Sequence, residues 1–300
     1  MNRRIQRAAG LLLVLLLAVP SFAWNAAGHK AIALIAYNQL TPTVRARVDR
    51  LLLQHPDYAK WTAGIPVQDR GRAAFLEAST WPDDIRNDPR FHADNARPTA
   101  NVPGLPAGAQ ARHSNWHYMN LPFSTDGTPT KPSEEPNILT KLRDFQALGT
   151  MSEVEQTFLL PWVLHLIGDI HQPLHTVARF DRLRPTGDRG GNSVELKSGN
   201  LHSYWDSRIG TSETDRFLDQ LVATIQSRHP KLATLDMDPE KWAFEGFALR
   251  SEVYGFSGAG TERNPATMSD SYSVGAKNLS LERAALAGYR LAEFLNQRLK

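Results

Sequence analysis

The amino-acid sequence predicts a mainly α-helical domain, on three observations. Apolar residues recur at helical spacing, as in Phe217, Leu221, Val222 and Ile225. Helix-start signals stand ahead of such stretches: Thr41-Pro42, Ser152 with Glu155, and Asp238-Pro239. Period-two alternation is scarce, its clearest case being Ser193–Lys197, and a short β-hairpin is the only sheet expected.

In chain order, residues 1–23 read as a secretory signal peptide. Arg3, Arg4 and Arg7 precede an apolar run from Leu11 to Val19, and Ser21 and Ala23 are the small residues of a cleavage site. The run is short for a membrane span. Cleavage would leave Trp24 at the head of one domain, 24–300, in the periplasm or the medium. The net charge of +3 belongs to this leader: removing its three arginines from 34 basic residues leaves 31, equal to the 31 acids. Basicity is therefore no argument for nucleic-acid binding. The chain has no cysteine, so the core or bound metal must hold an exported fold together.

A helix is expected from Lys30 onward, and a second from the Thr41-Pro42 cap through Val44, Val48, Leu51 and Leu52. Phe75–Ala78 reads helical, with Pro82 disturbing the chain near Trp81. Residues 97–112 and 121–137 are rich in breakers and read as loops. Ser152 and Glu155 open a central helix that contains Pro161. A polar loop, 179–191, ends in Gly190-Gly191-Asn192. Asp238-Pro239 starts a helix carrying Trp242 and Leu249, and 258–265 is loop. Ser280 is expected to cap a last helix with Leu281, Ala285, Leu291 and Leu295.

The central helix carries the chemistry. Phe158–His175 is apolar, yet holds His165, Asp169, His171 and His175. Burying bare ionisable groups costs several kcal/mol each, so they need partners. His165 and Asp169 lie one helical turn apart on one face, as metal ligands on a helix do. Pro173 cannot continue the helix, which frees His175 to turn elsewhere. His202 and Asp206 repeat the same spacing. Nitrogen and oxygen ligands without cysteine favour a multinuclear zinc site. A free amino end at Trp24, with His29 nearby, is a further chelate. Asp83 or Asp84 could ligate, with Arg86 as a phosphate clamp. His113 and His117 cannot be told apart by spacing.

These fragments resemble the zinc-dependent single-strand nucleases of fungi, plants and bacteria, the S-one/P-one type, which share a fold with bacterial zinc phospholipases C. The match covers Trp24 with Gly28-His29, Trp81-x-Asp83-x-x-Arg86, Trp116-His117-Tyr118, HLIGDIHQPLH, GGN, LHSYWD and AGYRLAEFLN. The resemblance implies a single-domain helical fold with three zinc ions. One zinc falls to Asp83, His117 and His165, near Asp169. The second falls to His175, His202 and Asp206. The third falls to the amino group and carbonyl of Trp24 with His29 and Asp169. It makes Asp83, Asp169 and Arg86 catalytic and gives Tyr118 to base stacking. Asn192 of the GGN fragment is expected to line the substrate site. Asn120 stands where the family often has Asp, and Arg189 where the fungal enzymes have a small apolar residue, so base preference does not carry over. His55, His92, His113, His171 and His229 are left as non-ligands.

The implied activity is endonucleolytic hydrolysis of single-stranded DNA and RNA to 5′-phosphorylated products, with dephosphorylation of 3′-mononucleotides. Neither a stable membrane association after cleavage nor an obligate protein partner is expected. Two rivals are a zinc phospholipase C and a non-enzymatic exported zinc-binding protein. The first usually ends its second ligand set with Glu, where this chain has Asp206, and the second gives Arg86 and the aromatic pocket no purpose.

Overall fold

The computed structural model describes residues 24–97 and 100–300. The expected signal peptide, 1–23, lies outside the described residues. Among them are twelve α-helices and one two-stranded sheet. The first five helices are α1 (Ala26–Gln39), α2 (Pro42–Leu53), α3 (Tyr58–Trp61), α4 (Arg70–Ala78) and α5 (Trp81–Asp84). After a long irregular stretch come α6 (Ile138–Asp144), the central α7 (Glu153–Asp169) and the short α8 (Leu201–Asp206). The chain closes with α9 (Asp215–Arg228), α10 (Pro239–Ala248), α11 (Arg250–Val253) and the long α12 (Asp270–Arg298).

Local chemistry sets most helix starts. Thr41 caps α2 with Pro42 in its first turn, and the Ser152 hydroxyl and Glu155 carboxylate form a reciprocal capping box on α7. Asp238 caps α10 ahead of Pro239. Helix α7 is apolar on all sides, so no face of it can be left in water, and it is buried from Thr157 to Asp169 save Leu159. It runs unbroken through Pro161. Helix α1 is buried from Ala27 to Tyr37 and packs against α12. Gly288 of α12 permits that contact, because a Cβ there would lie 2.6 Å from the Ile35 Cβ.

Among the described residues the expected hairpin is not formed. The sheet pairs β1 (Leu121–Ser124) with β2 (Val177–Phe180) in parallel, Leu121 opposite Val177. The whole of β1 lies in the stretch 121–137 expected as loop, and Arg179 and Phe180 of β2 lie in the expected loop 179–191. Four-residue strands flanked by Pro and Gly leave little periodicity, and their partners lie far apart in the chain. Ser193–Lys197 makes only isolated bridges, because Glu195 pairs with Asn200 and Leu196 with Ala266. The last helix begins ten residues before Ser280, at Asp270, and is capped by Ser269, whose hydroxyl accepts from the Tyr272 amide. Ser280 is buried mid-helix. Pro82 starts a helix, α5, rather than merely disturbing one, since its missing amide costs nothing in a first turn.

Candidate metal centre

Four elements converge on one buried cluster. Helix α1 brings His29, α5 brings Asp83, α7 brings His165 and Asp169, and α8 brings His202 and Asp206. His117 and His175 come from short 3-10 turns immediately before β1 and β2. Parallel pairing explains their proximity: both strands start at the cluster and run away from it together. The pairing already begins inside the site, where Met119 N donates to His175 O at 2.8 Å. Helix α7 ends at Asp169, and the Gln172–Pro173 turn carries the chain on to His175.

Three groups of buried ligand-type side chains result: His29, His165 and Asp169; Asp83, His117 and His165; His175, His202 and Asp206. Within each, the ligand atoms lie within 4.8 Å of one another. His117 Nδ1 is 3.0 Å from His165 Nε2 and 3.8 Å from Asp83 Oδ1. His175 Nε2 and His202 Nε2 are 3.0 Å apart, and Asp206 Oδ1 is 3.8 Å from the latter. A tetrahedral ion with bonds of about 2.0–2.1 Å has edges of about 3.3 Å. The separations bracket that length.

Protonation makes the case stronger. His165 Nδ1 donates to Ser79 O at 2.8 Å, His175 Nδ1 to His117 O at 2.6 Å, and His202 Nδ1 to Gly190 O at 2.6 Å. A carbonyl only accepts, so in each neutral ring the proton sits on Nδ1 and the Nε2 lone pair faces the cluster. His175 and His202 therefore point lone pairs at each other, a repulsive contact unless a cation lies between them. His29 Nε2 and Asp169 Oδ1 face each other at 3.3 Å, both buried and neither hydrogen bonded. Unsatisfied buried groups of this kind could be satisfied by a bound cation.

Titration behaviour agrees. Burial holds the His117 pKa down at about 3, and burial followed by His165 lowers His29. Burial also lowers His175. These rings are neutral at pH 7 and ready to ligate. Burial would likewise depress His165, but Asp169 and Asp83 outweigh it and raise its pKa. Burial opposes ionisation of Asp169 and Asp83, yet His165 and His175 hold the first well below the usual carboxylate range, and Arg86 with His165 lowers the second. Asp206 is pushed well above that range by burial, against the Gln172 hydrogen bond. A cation beside that carboxyl would offset the cost of burial and favour its charged form.

The remaining predicted residues lie around this cluster. Arg86 reaches Asp83 Oδ1 with its guanidinium at 3.0 Å. Asp83 is buried and Asp84 exposed, and His117 joins a group while His113 stacks on Trp116 at 3.7 Å. Trp24 is fully buried, with its indole Nε1 donating to Gly168 O at 3.1 Å, one residue before Asp169. Tyr118, Asn120, Arg189, Asn192 and His202 line one cleft, with Tyr118 38% exposed. The cleft continues past Tyr118 and Arg189 between Lys131, Ser133, Glu134 and Phe180. Lys131 and Glu134 gave no sequence signal, since they sit in a breaker-rich loop whose path only the fold reveals. Arg189, Gly190 and Gly191 all have positive φ, and a Cβ on Gly190 would run into the Leu174 carbonyl. That tight turn is what presents Gly190 O to His202. Gln172 went unremarked in the sequence, although it lies between His171 and His175 and bonds Asp206.

Grouped buried histidines and aspartates beside an open aromatic cleft define a candidate metal site in a helical domain. The family model "S1/P1 Nuclease" matches residues 24–300, and the chain belongs to that family. It is similar to Endonuclease 2 of Arabidopsis thaliana, 25% identical over 94% of this chain and 93% of the relative. Endonuclease 3 of the same plant is 24% identical over 91% of this chain and 88% of its own length. Endonuclease 1 is 25% identical over 91% and 86%.

Proposed function

We propose that the protein is an exported zinc-dependent nuclease. It hydrolyses single-stranded DNA and RNA endonucleolytically to 5′-phosphorylated products and removes phosphate from 3′-mononucleotides. The observation that carries the reading is the opposed pair of His175 and His202 nitrogens, with His202 lining the cleft that holds Tyr118. On this reading the three ligand groups each hold one zinc ion, and the Trp24 amino group and carbonyl complete the set of His29 and Asp169. When bound, zinc supplies Lewis-acid charge and a nucleophile active at neutral pH.

The chain's own residues do the rest. Asp83, Asp169 and Asp206 bring three negative charges, so a site filled with three dications stays net positive and attracts a phosphodiester without a basic surface. Arg86, anchored on Asp83 at 3.0 Å, offers its guanidinium to phosphoryl oxygens as charge develops. Tyr118 presents an exposed ring on which a base can stack. A base inside a duplex cannot reach it, which selects single strands. Asn120, Arg189 and Asn192 contact the bound nucleotide.

The test is hydrolysis of single-stranded DNA, duplex DNA, RNA, a 3′-mononucleotide and lecithin by the zinc-loaded protein, beside a His202→Ala variant. Single strands and the 3′-mononucleotide should be cut, with 5′-phosphate ends. His202→Ala should keep its fold, lose one zinc and lose nearly all turnover. Cleavage of lecithin alone, or a fully active His202→Ala with full zinc, would overturn the reading.

A further inference from the structure

The turn between the two halves of the cluster is organised by one residue that belongs to no ligand group. Gln172 is fully buried. Its backbone N donates to Asp169 O at 2.9 Å, and its carbonyl accepts from His175 N at 2.9 Å. Its side chain spans from this turn to α8. Leu174 N donates to Oε1 at 2.6 Å, and Nε2 donates to Asp206 Oδ1 at 2.7 Å. The amide orientation is forced, because a backbone N–H can only donate and so must meet the oxygen. The amide NH₂ is left facing the carboxylate.

We infer that Gln172 is a positioning residue for the group of His175, His202 and Asp206. It fixes the Asp206 carboxylate toward the opposed His175 and His202 nitrogens and sets the affinity of that group for its ion. Three lines carry this. Asp206 Oδ1, the oxygen that Gln172 holds, is the one 3.8 Å from His202 Nε2. Gln172 Nε2 is a neutral donor, so it holds the Asp206 carboxylate in place without bringing a competing cation. The same residue ties Asp169, His175 and Asp206 through three separate hydrogen bonds, so the spacing of the two halves passes through it. The inference rests on the metal reading above and adds which outer residue tunes which group.

The experiment reads metal, not activity alone. Zinc release from the full chain is followed against a graded chelator for wild type, Gln172→Met, His202→Ala and the double variant. Gln172→Met keeps the length and removes both hydrogen bonds. One zinc should release at a chelator strength tenfold to a hundredfold lower, the usual cost of losing an outer-shell partner, with the others unchanged. The substitution should have no further effect on zinc in the His202→Ala background, where that ion is already missing. On a minimal phosphodiester, kcat should fall while KM holds. Gln172→Asn serves if Gln172→Met does not fold, since it keeps the amide but is one methylene too short to meet Leu174 N and Asp206 together. Unchanged zinc release in a folded variant, or an equal loss of all the bound zinc, overturns the inference. Wild type that binds zinc in this pattern yet cleaves no nucleic acid would sink the nuclease reading and leave this one standing.

Discussion

At the scale of single residues, carbonyl oxygens decide which imidazole nitrogen meets the cluster. Ser79, His117 and Gly190 each take the Nδ1 proton of a buried histidine. The sequence announces the histidines and their helical spacing with the aspartates, but not these acceptors, which are backbone atoms and look alike in any sequence. The same limit applies to His113 against His117. Spacing left both open, and what separates them is that the left-handed His113 turns its ring onto Trp116. Tyr118 supports a prediction at this scale. Tyr118→Ala should weaken oligonucleotide binding by about 1–3 kcal/mol per stacked base, seen in KM or Kd more than in kcat. Hydrolysis of a phosphodiester without a base should change little. An equal loss on both substrates would remove the stacking role.

At the scale of elements, helix starts were legible where the cap is local and misread where burial decides. Ser152 with Glu155 and Asp238-Pro239 cap as their spacing says. Ser280 has the same local look, yet lies buried inside α12, because Ser269 already caps that helix upstream of it. The parallel β1–β2 pair was illegible, since it joins segments more than fifty residues apart and each is four residues long. A stability prediction belongs to the α2–α3 connection. His55 stacks on Trp61 at 4.4 Å, and its Nδ1 accepts from Asp57 N at 3.1 Å. Burial chiefly lowers its pKa from 6.5 to about 4. A depressed folded pKa means the unfolded chain takes up the proton first. The contribution is therefore complete above about pH 6.5 and is lost as pH falls toward 4. Its full size is on the order of 3 kcal/mol. Urea unfolding of wild type and His55→Gln across this range should show a shallower acid decline for the variant. Parallel declines would remove His55 as the cause.

At the scale of the whole molecule, the cluster joins α1, α5, α7, α8 and the two strand-entry turns, so metal and fold should be linked. No disulfide is available to hold the fold, so if zinc fills these groups as proposed, chelation should lower Tm by several degrees or more, reversibly on adding zinc. The amino end enters the same account. An amide nitrogen has its lone pair drawn into the carbonyl and is a poor ligand, so a chain retaining Met before Trp24 should bind less zinc and turn over slowly. Equal zinc and equal rate in that variant, with mass spectrometry confirming the extra Met, would take Trp24 out of the site. The central claim is that the three buried groups hold zinc and that the reaction depends on it. Its most direct test is zinc per chain, by plasma mass spectrometry, for protein beginning at Trp24, paired with its rate on single-stranded DNA before and after chelation. The account predicts three zinc ions per chain and a rate that vanishes with chelator and returns with zinc. A chain that cleaves at full rate with its zinc stripped would contradict it.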